Sequence, residues 1–117
     1  MNIPASKTEA NHYLWAKVCD GWRLANSADL SVIEEKAPAG ASEARHYHKK
    51  ARQFFYILSG VATFEIDGNE FQISAHSGIE VAPGSRHKFM NRSSGDVCFL
   101  VISAPSTQED RIDVENH

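Results

Sequence analysis

Three histidines and one glutamine carry the chemistry this sequence offers. His46-Tyr47-His48 is followed by Gln53 and, much later, by His87 in the run Pro83-Gly84-Ser85-Arg86-His87. On an extended segment, residues i and i+2 face the same side of a sheet, so the imidazoles of His46 and His48 can converge on one cation. A metal site inside a β-structure is the reading these spacings favour, and no other group of residues offers comparable chemistry. The remaining histidines differ: His76 precedes Gly78 in a turn and reads as an exposed loop residue, while His12 and His117 lie near the chain ends. Cys19 and Cys98 are too few and too far apart for a disulfide framework and suit reduced, buried thiols.

Strands must position these ligands, and the sequence supplies them. Short β-favouring runs occupy Ala16 to Leu24, Leu30 to Lys36, Phe54 to Leu58, Val61 to Ile66, Glu70 to Ile73, Ile79 to Val81, His87 to Asn91 and Val97 to Ser103. Turn residues separate them, with Asp67-Gly68 marking the clearest hairpin, and no long helical periodicity interrupts the series. This pattern predicts an all-β barrel or sandwich. At 117 residues the chain can bury one core and is too short for a second domain with its own catalytic apparatus. The tail from Thr107 to His117 is charged, so it is expected to lie on the surface, fray, or form a short terminal helix.

Alternation sorts the strand residues between faces. If Gln53 points inward with the histidines, Phe55 and Ile57 share its face, while Phe54, Tyr56 and Leu58 take the other. Both faces are then apolar and need cover, which makes a homodimer the expectation. The basic residues Lys49, Lys50 and Arg52 form no extended stripe and the formal net charge is -3, which argues against a nucleic-acid partner. Met1 to Glu9 lacks the apolar stretch of a secretory signal, and no apolar run approaches the ~18 residues of a membrane span. No membrane association and a cytoplasmic location are therefore expected.

The residues also resemble a known family, the cupins, small β-barrels with two short histidine motifs. The first motif runs Gly, five residues, His-x-His, three or four residues, Glu, six residues, Gly. Here Gly40, His46-Tyr47-His48, Gln53 and Gly60 keep every spacing, with Gln53 in the place of the acidic residue. The second motif runs Gly, five residues, Pro-x-Gly, two residues, His, three residues, Asn. Gly84, His87 and Asn91 match it; His76 stands for the first Gly, Ala82 for the Pro, and Pro83 follows one place later. The resemblance covers roughly Val32 to Ser103. It implies a double-stranded β-helix, or jelly-roll barrel, as a single domain, with an N-terminal segment and first strand over 1–30, the barrel over 31–104 and a tail over 105–117.

By the same resemblance His46, His48, Gln53 and His87 are the ligands of one divalent ion, iron, nickel, manganese or zinc. An amide in place of a carboxylate leaves the full charge on the metal, which strengthens it as a Lewis acid and favours an anionic ligand. The alternative is that Gln53 has left the ligand set, because an amide oxygen is the poorer donor. Phe55, Ile57, Phe89 and Asn91 are candidates for a substrate pocket, though the first three equally suit plain core and Asn91 suits closing barrel hydrogen bonds. Arg45, Tyr47, Lys49, Lys50 and Arg52 form either a basic rim or a solvated loop.

Cupins include dioxygenases, isomerases, lyases and proteins that only bind small molecules, so the fold does not fix the reaction. The expectation is an enzyme acting on a small, oxygen-rich, possibly anionic molecule such as a sugar acid. A non-catalytic binding or sensor module is the alternative, and a structural partner to another enzyme is a third reading. Cupins that process unsaturated uronates look similar in pairing three histidines with a glutamine, but their final strand carries an acidic residue where Phe99 to Ile102 here are apolar. An acid or base would then come from a metal-bound hydroxide, from Tyr47 or Tyr56, from a residue the sequence does not single out, or from Glu34, Glu65 or Glu80 if their strand faces turn inward.

Overall fold

The computed structural model of the chain describes residues 4–114, and among them every regular element is a β-strand. In chain order these are β1 (Asn11–Trp15), β2 (Cys19–Asn26), β3 (Ser31–Ala37), β4 (His46–His48), β5 (Arg52–Ser59), β6 (Val61–Ile66), β7 (Asn69–Ser74), β8 (Gly78–Val81), β9 (His87–Met90), β10 (Val97–Ala104) and β11 (Arg111–Asp113). They form two antiparallel sheets, a six-stranded one in the order β1-β2-β3-β10-β5-β8 and a five-stranded one in the order β11-β4-β9-β6-β7. Non-sequential neighbours such as β3-β10-β5 interleave the two ends of the chain, as a jelly roll requires.

The inward rows of both sheets meet in one core. Gln53, Phe55 and Ile57 of β5 are buried while Phe54 between them is 39% exposed, so the face assignment from alternation holds. Phe55, Ile57, Phe64, Phe89, Phe99 and Val101 form the centre, with Trp15, Ile33 and Ile79 packed against it. Asp67 and Gly68 turn the β6–β7 hairpin with φ of 50° and 87°, the left-handed pair that an Asp-Gly turn favours.

Two expectations need correction. The strand expected over Ala16 to Leu24 begins only at Cys19, because Ala16 to Val18 turn a hairpin in which β1 and β2 pair in register from Asn11↔Arg23 to Trp15↔Cys19. Its turn holds Ala16 and Lys17 at φ of 47° and 73°, a conformation usually given to Gly or Asn, so the reversal left no residue signature. Nor is the tail helical. Residues Arg111–Asp113 add a strand to β4, pairing Arg111↔His48, Ile112↔Tyr47 and Asp113↔His46. Residues 115–117, with His117, lie outside the described part of the chain. Among the described residues no helix is long and apolar enough to cross a membrane.

Candidate metal centre and its cavity

The histidines converge because β4 and β9 are neighbours. His46 and His48 point inward from β4, and His46 pairs directly across the ladder with His87. One ligand atom from each of the three imidazoles lies within 4.8 Å of the others. Backbone carbonyls fix two of the rings: His46 Nδ1 donates to the Ala44 carbonyl and His87 Nδ1 to the Ser85 carbonyl, each at 2.9 Å. With Nδ1 protonated, Nε2 of both rings carries the free lone pair. Gln53 reaches the same region from β5. Its Nε2 donates to Ser103 Oγ at 3.2 Å, which orients the amide and leaves its oxygen unshared.

Three buried polar atoms here have no hydrogen-bond partner: His48 Nδ1, His87 Nε2 and Gln53 Oε1. Buried polar atoms left unsatisfied are destabilising, and a cation held among these side chains would relieve those that face it. The protonation states agree. Burial, and then the charge of His87, lowers His46 to about 3 and His48 to about 4; burial also lowers His87. At neutral pH all three are neutral imidazoles, the state that ligates metal. Three imidazole nitrogens and an amide oxygen fit a borderline divalent ion.

A cavity of about 220 Å³ opens beside this cluster. His46, His48 and Gln53 face it, together with Tyr13, Trp15, Glu35, Glu43, Phe55, Phe89 and Arg111. His87 is buried against His46, their ring centres 4.3 Å apart. Of the four pocket candidates, Phe55 and Phe89 line the cavity. Ile57 is fully buried in the core, and Asn91 donates to the carbonyls of Ala37 and Gly95 at 3.0 and 2.8 Å. His76 is exposed in its turn.

The condition set for Glu34, Glu65 and Glu80, that their strand faces turn inward, is not met at this cavity. Glu34, Glu65 and Glu80 pair with Lys7, Arg45 and Arg52 and do not line it; Tyr47 and Tyr56 stay outside as well. Glu35 and Glu43 do line it. Tyr13 donates its hydroxyl proton to Glu35 Oε2 at 2.9 Å, and burial, reinforced by the charge of Glu43, pushes the Glu35 carboxyl up to about 8. Glu43 accepts the Phe89 amide at 3.0 Å, lies 3.7 Å from Arg111 Nη1, and is raised by burial to about 7. The signal for Glu35 was its i+2 relation to apolar Ile33. Tyr13 belongs to β1, which the sequence reading left out, and Arg111 to the tail, where it offered no strand.

The tail strand also braces the histidine strand. Asp110 is buried and accepts the backbone amides of Lys49, Lys50 and Ala51 at 2.9 to 3.2 Å, holding the loop that leads from His48 to Gln53. Although burial opposes it, these N–H groups keep the Asp110 carboxyl below its ordinary value.

Comparison with known proteins places this architecture. The Cupin domain family model matches residues 33–103, more than half of the chain. The polyketide synthase CurC of Streptomyces cyaneus is 28% identical over 79 residues, 65% of this chain and 51% of that protein. The chain spans 51 to 60% of the length of the curated relatives it matches. Among solved structures, the polyketide cyclase RemF from Streptomyces resistomycificus superposes with a TM-score of 0.85 at 16% identity, covering 100% of this chain and 88% of that one. The Streptomyces nucleoside dehydratase Pac13 gives 0.83 at 15% identity, with 98% and 92% covered. At these identities the structural likeness is one of fold.

Proposed function

The chain belongs to the cupin domain family, and from that premise we propose that it is a metal-dependent enzyme of isomerase or lyase type acting on a small, oxygen-rich molecule. His46, His48, Gln53 and His87 are the proposed ligands of one divalent ion, and the three unpartnered buried atoms among them support that assignment. When bound, such an ion polarises a substrate carbonyl or hydroxyl and stabilises negative charge on oxygen.

The observation that carries the reading is Glu35. It lines the same cavity as the imidazoles, and its carboxyl is pushed up to about 8, near the pH at which general acids and bases work best. Tyr13 occupies Oε2, so Oε1 is the atom that holds the exchangeable proton. At neutral pH Glu35 donates from Oε1 to a substrate oxygen, and its carboxylate then takes a proton back. Arg111, beside Glu43 at the cavity wall, supplies a positive charge for an anionic substituent. The names of two structural neighbours, a cyclase and a dehydratase, accord with such proton movements.

The test begins with elemental analysis of protein purified without chelator. About one divalent ion per chain is expected, and His48→Ala is expected to lose most of it while the barrel stays folded by circular dichroism. Failure to reload with iron, nickel, manganese or zinc refutes the site. Sugar acids and catechols are then screened under air and under nitrogen, with turnover expected to be independent of oxygen and strongly reduced in Glu35→Gln. Binding without turnover points instead to a sensor module.

A further inference from the structure

Segments outside residues 33–103 complete the cavity, and one of them bears on what it accepts. Tyr13 and Trp15 come from β1. On β5, β9 and β10 the inward residues change character along the strand: Gln53 gives way to Phe55, His87 to Phe89, and Ser103 to Val101 and Phe99. Because inward residues repeat every second position, the wall on these three strands runs from polar to apolar, whereas on β3 it runs from Ile33 beside Val101 to Glu35 beside Phe99. Trp15 belongs to the apolar part, meeting Phe89 and Phe99 edge to face with ring centres 5.9 and 6.2 Å away. Its indole N–H is already committed to the Asp20 carbonyl at 2.9 Å, so what Trp15 offers a ligand is carbon.

We infer that this cavity selects a planar aromatic or enolic ring bearing adjacent oxygens over a polyhydroxylated sugar acid. The inference rests on the proposed metal site for where those oxygens go. A pyranose can lay one C–H face on an indole, but its hydroxyls radiate from the whole ring. Those directed at Phe89, Phe99, Ile33 or Val101 rather than at Tyr13, Glu35 or Glu43 lose water and gain no partner. A flat ring with oxygens on one edge meets both halves of the wall: its oxygens face the imidazoles and Gln53, and its carbon face meets the aromatic side chains. At about 220 Å³ the space falls below the ~300 Å³ at which pockets for drug-sized ligands begin, so the ring system is small.

Isothermal titration calorimetry of the full chain with 2,3-dihydroxynaphthalene and with D-galacturonate, each on metal-free and zinc-loaded protein, tests this. The diol is expected to bind at least about tenfold more tightly in both forms, and Trp15→Ala to weaken the diol about tenfold with zinc content unchanged. Trp15→Phe, which keeps a ring, is expected to retain most of the diol affinity and guards against a folding defect in the alanine variant. Equal or tighter binding of galacturonate, no diol binding at millimolar concentration, or an unchanged diol affinity in a folded Trp15→Ala overturns the inference. Zinc refused while the ranking holds defeats only the metal assignment; zinc bound while the ranking reverses defeats only this one.

Discussion

Between Tyr13 of β1 and Glu35 of β3 stands a single residue, Gly21 of β2, paired to both across the sheet. Tyrosine and carboxylate are thus two strands apart, about 9.5 Å in the ladder direction, and they bond only because Gly21 has no side chain between them. A Cβ there would fall 2.6 Å from Tyr13 Cε1 and 2.7 Å from its hydroxyl oxygen. The Gly21 backbone has no left-handed φ, so alanine suits the strand and the tyrosine ring must give way. Gly21→Ala is therefore expected to keep the fold and lose the Tyr13–Glu35 hydrogen bond. That bond favours the ionised carboxylate, so both Gly21→Ala and Tyr13→Phe should move the Glu35 carboxyl above about 8. Carbon-detected NMR titration of labelled glutamate reads the shift directly. A Glu35 titration unmoved in both variants shows that the bond does not tune the acid.

At the scale of elements, the loop between β4 and β5 owes its shape to Asp110, a residue far away in sequence. One carboxylate satisfies the amides of Lys49, Lys50 and Ala51 and ties the tail to the strand that carries His46 and His48. Asp110→Ala leaves the amides of Lys50 and Ala51 unpaired, at about 1.5–3 kcal/mol for a charge-assisted bond of this kind, while Lys49 keeps its bond to the backbone carbonyl of residue 110 at 3.3 Å. Expected outcomes are a lower Tm, faster hydrogen exchange at Lys50 and Ala51, and weaker zinc binding without loss of the remaining barrel. Exchange at those amides unchanged in the variant would mean the loop is held by other contacts. Long-range bracing of this kind is also what the sequence conceals. Strands β6, β9 and β10 were legible because alternating apolar residues end at turn residues, and the His-x-His spacing disclosed one face of the site. Strands β1 and β11 were not, since they are short, five and three residues, and gain their structure from the neighbour they pair with. Glu35 and Tyr13 were missed with them, because their meeting depends on a glycine in a third strand.

Over the whole molecule, the buried titratable groups set opposing limits on stability. In the folded chain His46 and His48 titrate near 3 and 4, against the ordinary 6.5 that the unfolded chain keeps. Between those values the unfolded chain binds more protons, so stability is lost as pH falls below about 6.5. Glu35 and Glu43 act the other way. Raised from 4.5 to about 8 and 7, they bind more protons when folded, so stability is lost as pH rises from 4.5 towards 8. The windows overlap between 4.5 and 6.5, and metal-free protein is expected to be most stable there and to weaken on both sides. Thermal melts in chelator from pH 4 to pH 9, at roughly half-unit steps, check this against the ordinary expectation of a broad optimum between about 5 and 8. Glu35→Gln should flatten the alkaline fall and leave the acid limb in place. Zinc should raise Tm wherever the folded imidazoles are neutral, above about pH 4, and its benefit should fade below that, where protons compete for the same nitrogens. A plateau extending to pH 9 that Glu35→Gln does not alter would show that Glu35 ionises as freely in the cavity as in water, and would remove the proton donor from the proposed mechanism.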